Sequence, residues 1–179
     1  MKKLHKYIEE NQVTKFILIF MVIYFFLYLL GVCIGFIFGQ EISSIDIGQD
    51  KDLIGIFLNN LILGISIVIL GSFTGGFYSV AIILINGGIL GKLLRYLFAQ
   101  DMLHVVPLGL FPHAILEIIS LCVFSAISVI PISCLFYYFK SSNIISRKLV
   151  FQSLLIMVFS IISLFLAAIL ECYVSKIII

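Results

Sequence analysis

His113 and Glu117 stand four residues apart in Pro112-His113-Ala114-Ile115-Leu116-Glu117, inside a long and otherwise apolar stretch. Residues i and i+4 of a helix share a face, so an imidazole and a carboxylate placed this way can bond each other or one common partner. Ionisable groups at membrane depth are costly and normally turn towards a bundle interior. Three readings follow for the pair: a buried structural hydrogen bond, a site for a proton, cation or polar substrate group in a transport pathway, or a recognition point for a partner helix. Asn59 and Asn60, Asn86 and Arg95 are the other polar groups that could join it. A buried amide in hydrocarbon must find partners, and amides on neighbouring helices could bond one another or line a polar cavity with His113 and Glu117. Arg95 could supply the charge that Glu117 would otherwise lack.

Catalytic patterns are missing around these residues. There is no HExxH for a membrane metalloprotease, no GxSxG nucleophile elbow and no phosphate-binding loop. The next acidic group, Glu171, falls at the end of the last apolar run. A neutral His beside a carboxylate resembles the outer shell of a metal site, but further ligands do not accompany it. Cys33, Cys122, Cys134 and Cys172 show no CxxC spacing and read as small apolar packing residues. The chain is therefore expected to be non-enzymatic, with no metal and no cofactor.

The elements that must hold these groups follow from composition. The chain is 63% hydrophobic and only 11% charged, with mean hydropathy +1.27; an ordinary soluble domain is about 45–50% apolar and about 25% charged. The apolar runs are long and continuous, unlike the alternating segments of a membrane β-barrel. The expected fold is all-α, a polytopic bundle of about five spans at residues 16–39, 53–71, 76–94, 108–139 and 149–173. Residues 1–15 form a basic juxtamembrane segment, where Leu4 and Ile8 at helical spacing suggest a helix on the membrane surface; residues 16–179 form one transmembrane domain. The fourth stretch is too long for one straight span of about 20 residues. Pro112 fits the first turn of its helix, and Pro131 is expected to kink it.

Lys2, Lys3, Lys6, Lys15, Lys140, Arg147 and Lys148 fall on one side of this topology, against Lys51, Lys92, Arg95 and Lys176 on the other. The bias places the N-terminus in the cytoplasm and the C-terminus outside. A formal charge of +2 gives no reason to expect nucleic acid. Trp is absent, so the eight Tyr, with Lys and Arg, are expected to anchor the interfaces.

Small residues recur at four-residue spacing: Gly31, Gly35 and Gly39, then Gly71 and Gly75, then Gly87 and Gly91. In lipid, close backbone approach at such positions drives helix association. Packing within the chain is the first reading, and a partner or homo-oligomer surface on the first helix is the second.

Phe57-Leu58-Asn59-Asn60, Asn86-Gly87-Gly88-Ile89-Leu90-Gly91 and Pro112-His113-Ala114-Ile115-Leu116-Glu117 together resemble the stage II sporulation protein M family. Its pattern runs Asn, then Asn-Gly-x-x-Leu-Gly, then Pro-His-Gly-x-x-Glu; Ala114 stands where the family usually has Gly. The resemblance implies a multi-pass cell-membrane protein of about five spans without catalysis of its own, set in the lipid bilayer and assembling with other membrane or envelope proteins. The namesake helps to localise peptidoglycan-degrading proteins during engulfment, and relatives accompany circular bacteriocins. The expected task is thus a scaffold or complex subunit. The alternative is a transport or channel component, linked to peptide export or immunity, whose polar site is Asn60, Asn86, His113 and Glu117.

Overall fold

The computed structural model describes residues 2–39, 52–141 and 147–173. The acidic part of the first loop, with Glu41, Asp46 and Asp50, lies outside the described residues, as does Lys176. Six α-helices make up most of the described chain: α1 (Lys2–Phe38), α2 (Leu53–Phe73), α3 (Phe77–Ala99), α4 (Phe111–Ser128), α5 (Ile130–Ser141) and α6 (Arg147–Tyr173). Five segments are long and apolar enough to cross a membrane: Lys15–Phe38, Leu53–Phe73, Phe77–Ala99, Phe111–Leu135 and Phe151–Tyr173. The protein is an all-helical membrane protein, with no strand among the described residues.

Three local features differ from the sequence reading. The basic N-terminal segment is the beginning of one unbroken 37-residue helix rather than a separate surface helix, because no Pro or Gly precedes Gly31 to interrupt it. The third span continues past Leu94 to Ala99; Asp101, with φ +56°, is where the chain leaves the helix. The expected break near Pro131 falls at Val129. Proline cannot donate to the Ile127 carbonyl, and the Val129 N–H reaches Ala126 O at 3.4 Å in place of an ordinary helical partner. Pro112 lies in the first turn of α4, where its missing donor costs nothing.

The α2–α3 turn is closed by its own backbone. Gly75 and Gly76 have φ +65° and +95°, a region that glycine enters without steric cost. The Gly76 N–H donates to Gly71 O at 2.7 Å, the pattern of a helix C-terminal motif. Thr74 Oγ1 accepts from the Tyr78 N–H at 3.1 Å and so covers the start of α3.

Two kinds of packing hold the bundle. α1 and α3 run parallel and share the most extensive interface. A Cβ at Gly31 would sit 2.5 Å from the Leu84 carbonyl oxygen, and one at Gly35 would collide with the Gly88 carbonyl. Gly87 and Gly91 lie as closely on the Tyr28 and Val32 carbonyls. The glycines therefore join two helices of this chain, and the GxxxGxxxG face of α1 is occupied from within. α4 is the central helix, packed by α1, α2 and α6 and buried over 61% of its span, against 22–28% for the others. Phe124 fills the space at Gly64, where a Cβ would meet its ring at 2.6 Å. In lipid such contacts replace the hydrophobic drive of a soluble core.

Candidate functional site

α4 carries the centre. Its first turn places His113 in the bundle interior, 9% exposed, and helical spacing puts half-buried Glu117 one turn further along the same face. Across the α1–α4 interface, the buried Tyr28 of α1 packs in the core cluster that holds Leu121 and Cys122 of α4. Asn60 of α2, 8% exposed, is the second enclosed polar side chain of the sequence set, and α2 packs directly on α4. An imidazole, a carboxylate and a phenol can exchange or share protons, and an amide can both donate and accept. His113, Asn60 and Tyr28 are thus buried polar side chains on three helices packed together, with the half-buried Glu117 one turn along α4 from His113.

The remaining members of the set lie elsewhere. Asn59 is exposed, because adjacent residues of a helix point about 100° apart; it is not part of the centre. Asn86 is half-buried and donates from Nδ2 to the Ile82 carbonyl of its own helix at 2.9 Å, a local bond rather than a link to Asn60. Arg95 does not serve Glu117. Its Nη1 donates to Ile37 O at 2.8 Å and Phe36 O at 3.4 Å, covering the last carbonyls of α1, which have no partner within their own helix. A cation there also meets the negative end of the helix dipole. The small residues of the sequence set pack: Gly39 lies against the Lys92 stem, and Gly71 against Ser79 and Ser128. Cys122 is buried, Cys134 and Cys172 are half-buried, and Cys33 is on the outer surface of α1.

A second polar cluster escapes the sequence reading. Ser79 Oγ of α3 and Ser128 Oγ of α4 are 2.7 Å apart. Ser128 Oγ also donates to the Ser125 carbonyl at 2.7 Å, which the break at Val129 leaves without its usual helical donor. A hydroxyl has one proton, so Ser79 is the donor in the serine pair. Tyr24 of α1 adds its phenol, which donates to the Gly76 carbonyl at 3.5 Å. Ser125 Oγ is fully enclosed and has no hydrogen-bond partner. Towards α6, Ser120 Oγ donates to Leu116 O at 2.8 Å and Ser160 O at 3.2 Å, while Ser163 Oγ reaches Leu116 O at 3.4 Å.

Serine is a weak signal in sequence, because each hydroxyl can satisfy itself on the carbonyl one turn earlier. The stronger signal is Tyr24 and Tyr28, four residues apart in the middle of a charge-free run. The expectation that tyrosines anchor the membrane interfaces fails for these two, which are buried at 3% and 6% exposure.

The model of the family described as stage II sporulation protein M matches residues 16–176. No curated protein and no solved structure matches the chain.

Proposed function

The chain belongs to the stage II sporulation protein M family, and from that premise we propose that it is a non-catalytic, multi-pass subunit of the cell membrane that scaffolds a complex of membrane or envelope proteins. The observation that carries this reading is the enclosure of the polar centre. His113 and Asn60 are each at least nine-tenths buried, and α4, which bears the imidazole, is the most enclosed of the five spans. Polar side chains so placed bond within the bundle and specify how its helices meet, as interhelical hydrogen bonds do in lipid. Since α1 and α3 spend their glycines on each other, partners meet the outer, Ile-, Leu- and Phe-rich faces of the spans. The Lys/Arg bias favours a cytoplasmic N-terminus. In vivo crosslinking followed by extraction in mild detergent tests the proposal: discrete heteromeric products are expected, and a solitary monomer under every crosslinking condition overturns it.

A second reading is favoured by one observation, the half-buried Glu117 one helical turn from the buried His113 on α4. A carboxyl group one turn from a buried imidazole suits a proton- or cation-linked step, so the centre would belong to a transport component, with peptide export among its tasks. Flux that responds to Glu117→Gln in reconstituted vesicles would support it. Association with partners that is indifferent to the same change supports the scaffold.

A further inference from the structure

We infer that Lys92 and Arg95, held at the C-terminal end of α1, form a binding site for the phosphate of an anionic phospholipid. The inference goes beyond the scaffold reading and does not depend on it.

Depth comes first. Gly31 packs on Leu84 and Gly35 on Gly88, so α1 and α3 advance in step. Continuing that register brings the Lys92 stem against Gly39 and Arg95 Nη1 onto the Ile37 carbonyl, where the apolar run of α1 ends. From Phe77 to Arg95 the helix rises about 27 Å, close to the roughly 30 Å of a hydrocarbon core. Both cations therefore stand at the edge of the hydrocarbon layer, at the level of lipid phosphates.

Charge comes second. Lys92 and Arg95 are three residues apart and share a helix face. Among the described residues no carboxylate pairs with either. The carbonyls of α1 engage one nitrogen of Arg95 and leave the rest of a five-donor fork available. Those bonds also fix the guanidinium, so little freedom is lost on binding a phosphate. Lys92 is exposed and can bring its ammonium to the same anion. Beside them, Phe36 and Phe98 meet edge to face at 6.2 Å, giving an apolar flank for an acyl chain. A membrane phosphodiester is the occupant that complements two cations, at this depth, next to apolar surface.

The test follows the melting temperature of the full chain in a neutral detergent, titrated with phosphatidylglycerol, phosphatidylcholine or inorganic phosphate. Phosphatidylglycerol is expected to raise it saturably by several degrees, phosphatidylcholine by less than half as much, and inorganic phosphate not at all. Lys92→Gln, at an exposed position, is expected to keep the fold and to remove at least half of the phosphatidylglycerol shift, and Arg95→Gln is expected to remove as much. Equal shifts with the two lipids overturn the inference. So does a full shift in both variants, or a shift that appears only once Glu41, Asp46 and Asp50 are neutralised, since the loop would then be the occupant.

Discussion

The Arg95 guanidinium of α3 donates to the Ile37 carbonyl of α1 across 2.8 Å, so the two parallel helices are clasped at one end by a charge-assisted bond. Arg95→Ala should lower stability by about 1–2 kcal/mol, with Arg95→Lys intermediate because an ammonium lacks the planar fork. Unfolding in detergent reads both values. Loss of stability only in company with Glu117 changes would show that the arginine acts on the half-buried carboxylate instead.

Gly35 offers a sharper measure of the α1–α3 interface. A Cβ there meets the Gly88 carbonyl, so Gly35→Ala should destabilise by about 1–3 kcal/mol through overpacking, against the intrinsic preference of a helix for alanine. A Cβ at Gly55, also helical, would meet nothing within 4 Å. Gly55→Ala should therefore be neutral or stabilise by up to about 1 kcal/mol. Equal effects at the two positions would contradict the packing described.

Ser79 and Ser128 should be coupled across α3 and α4. Ser79→Ala and Ser128→Ala are expected to show an interaction energy of about 0.5–1.5 kcal/mol in a double-mutant cycle. Ser128→Ala should be the costlier single change, because it also uncovers the Ser125 carbonyl. Additive effects would mean that the 2.7 Å contact contributes nothing.

Ser125 Oγ has no partner, so Ser125→Ala should cost nothing or stabilise by up to about 1 kcal/mol by removing a buried unpaired hydroxyl. Thermal unfolding of the variant beside Ser120→Ala, whose hydroxyl bonds Leu116 and Ser160 and which should lose about 1 kcal/mol, provides the comparison.

Glu117 and Tyr28 should be linked in the same way. Glu117→Gln and Tyr28→Phe are expected to be non-additive by about 0.5 kcal/mol or more in detergent unfolding. A strictly additive pair would separate the carboxylate from the phenol and leave the centre to α4 and α2 alone.

Much of the fold is legible in sequence because the bilayer imposes one rule on the backbone. A charge-free run of sufficient length must be a helix, since no other segment satisfies its own N–H and C=O groups in lipid. That rule yields five spans, and Pro112 and Pro131 mark where the fourth begins and breaks. It does not say that α1 continues through its basic N-terminal segment, for a polar helix obeys no such constraint.

The candidate site is legible in part. His113 and Asn60 are inside, as the cost of exposing polar groups to hydrocarbon requires. Charge alone suggests Glu117 as the partner of Arg95, whereas α1 ends beside the guanidinium and presents carbonyls to it. Asn59 fails for the opposite reason: one residue along a helix is a different face.

The amino-acid order by itself determined the solvent, the helices and the spacing that sets His113 and Glu117 on one face, because these depend on local composition and period. Which glycine meets which carbonyl, and whether a hydroxyl bonds its own helix or the next, was decided only in the tertiary structure. Those contacts join residues tens of positions apart, and their geometry exists only once α1, α3 and α4 are side by side.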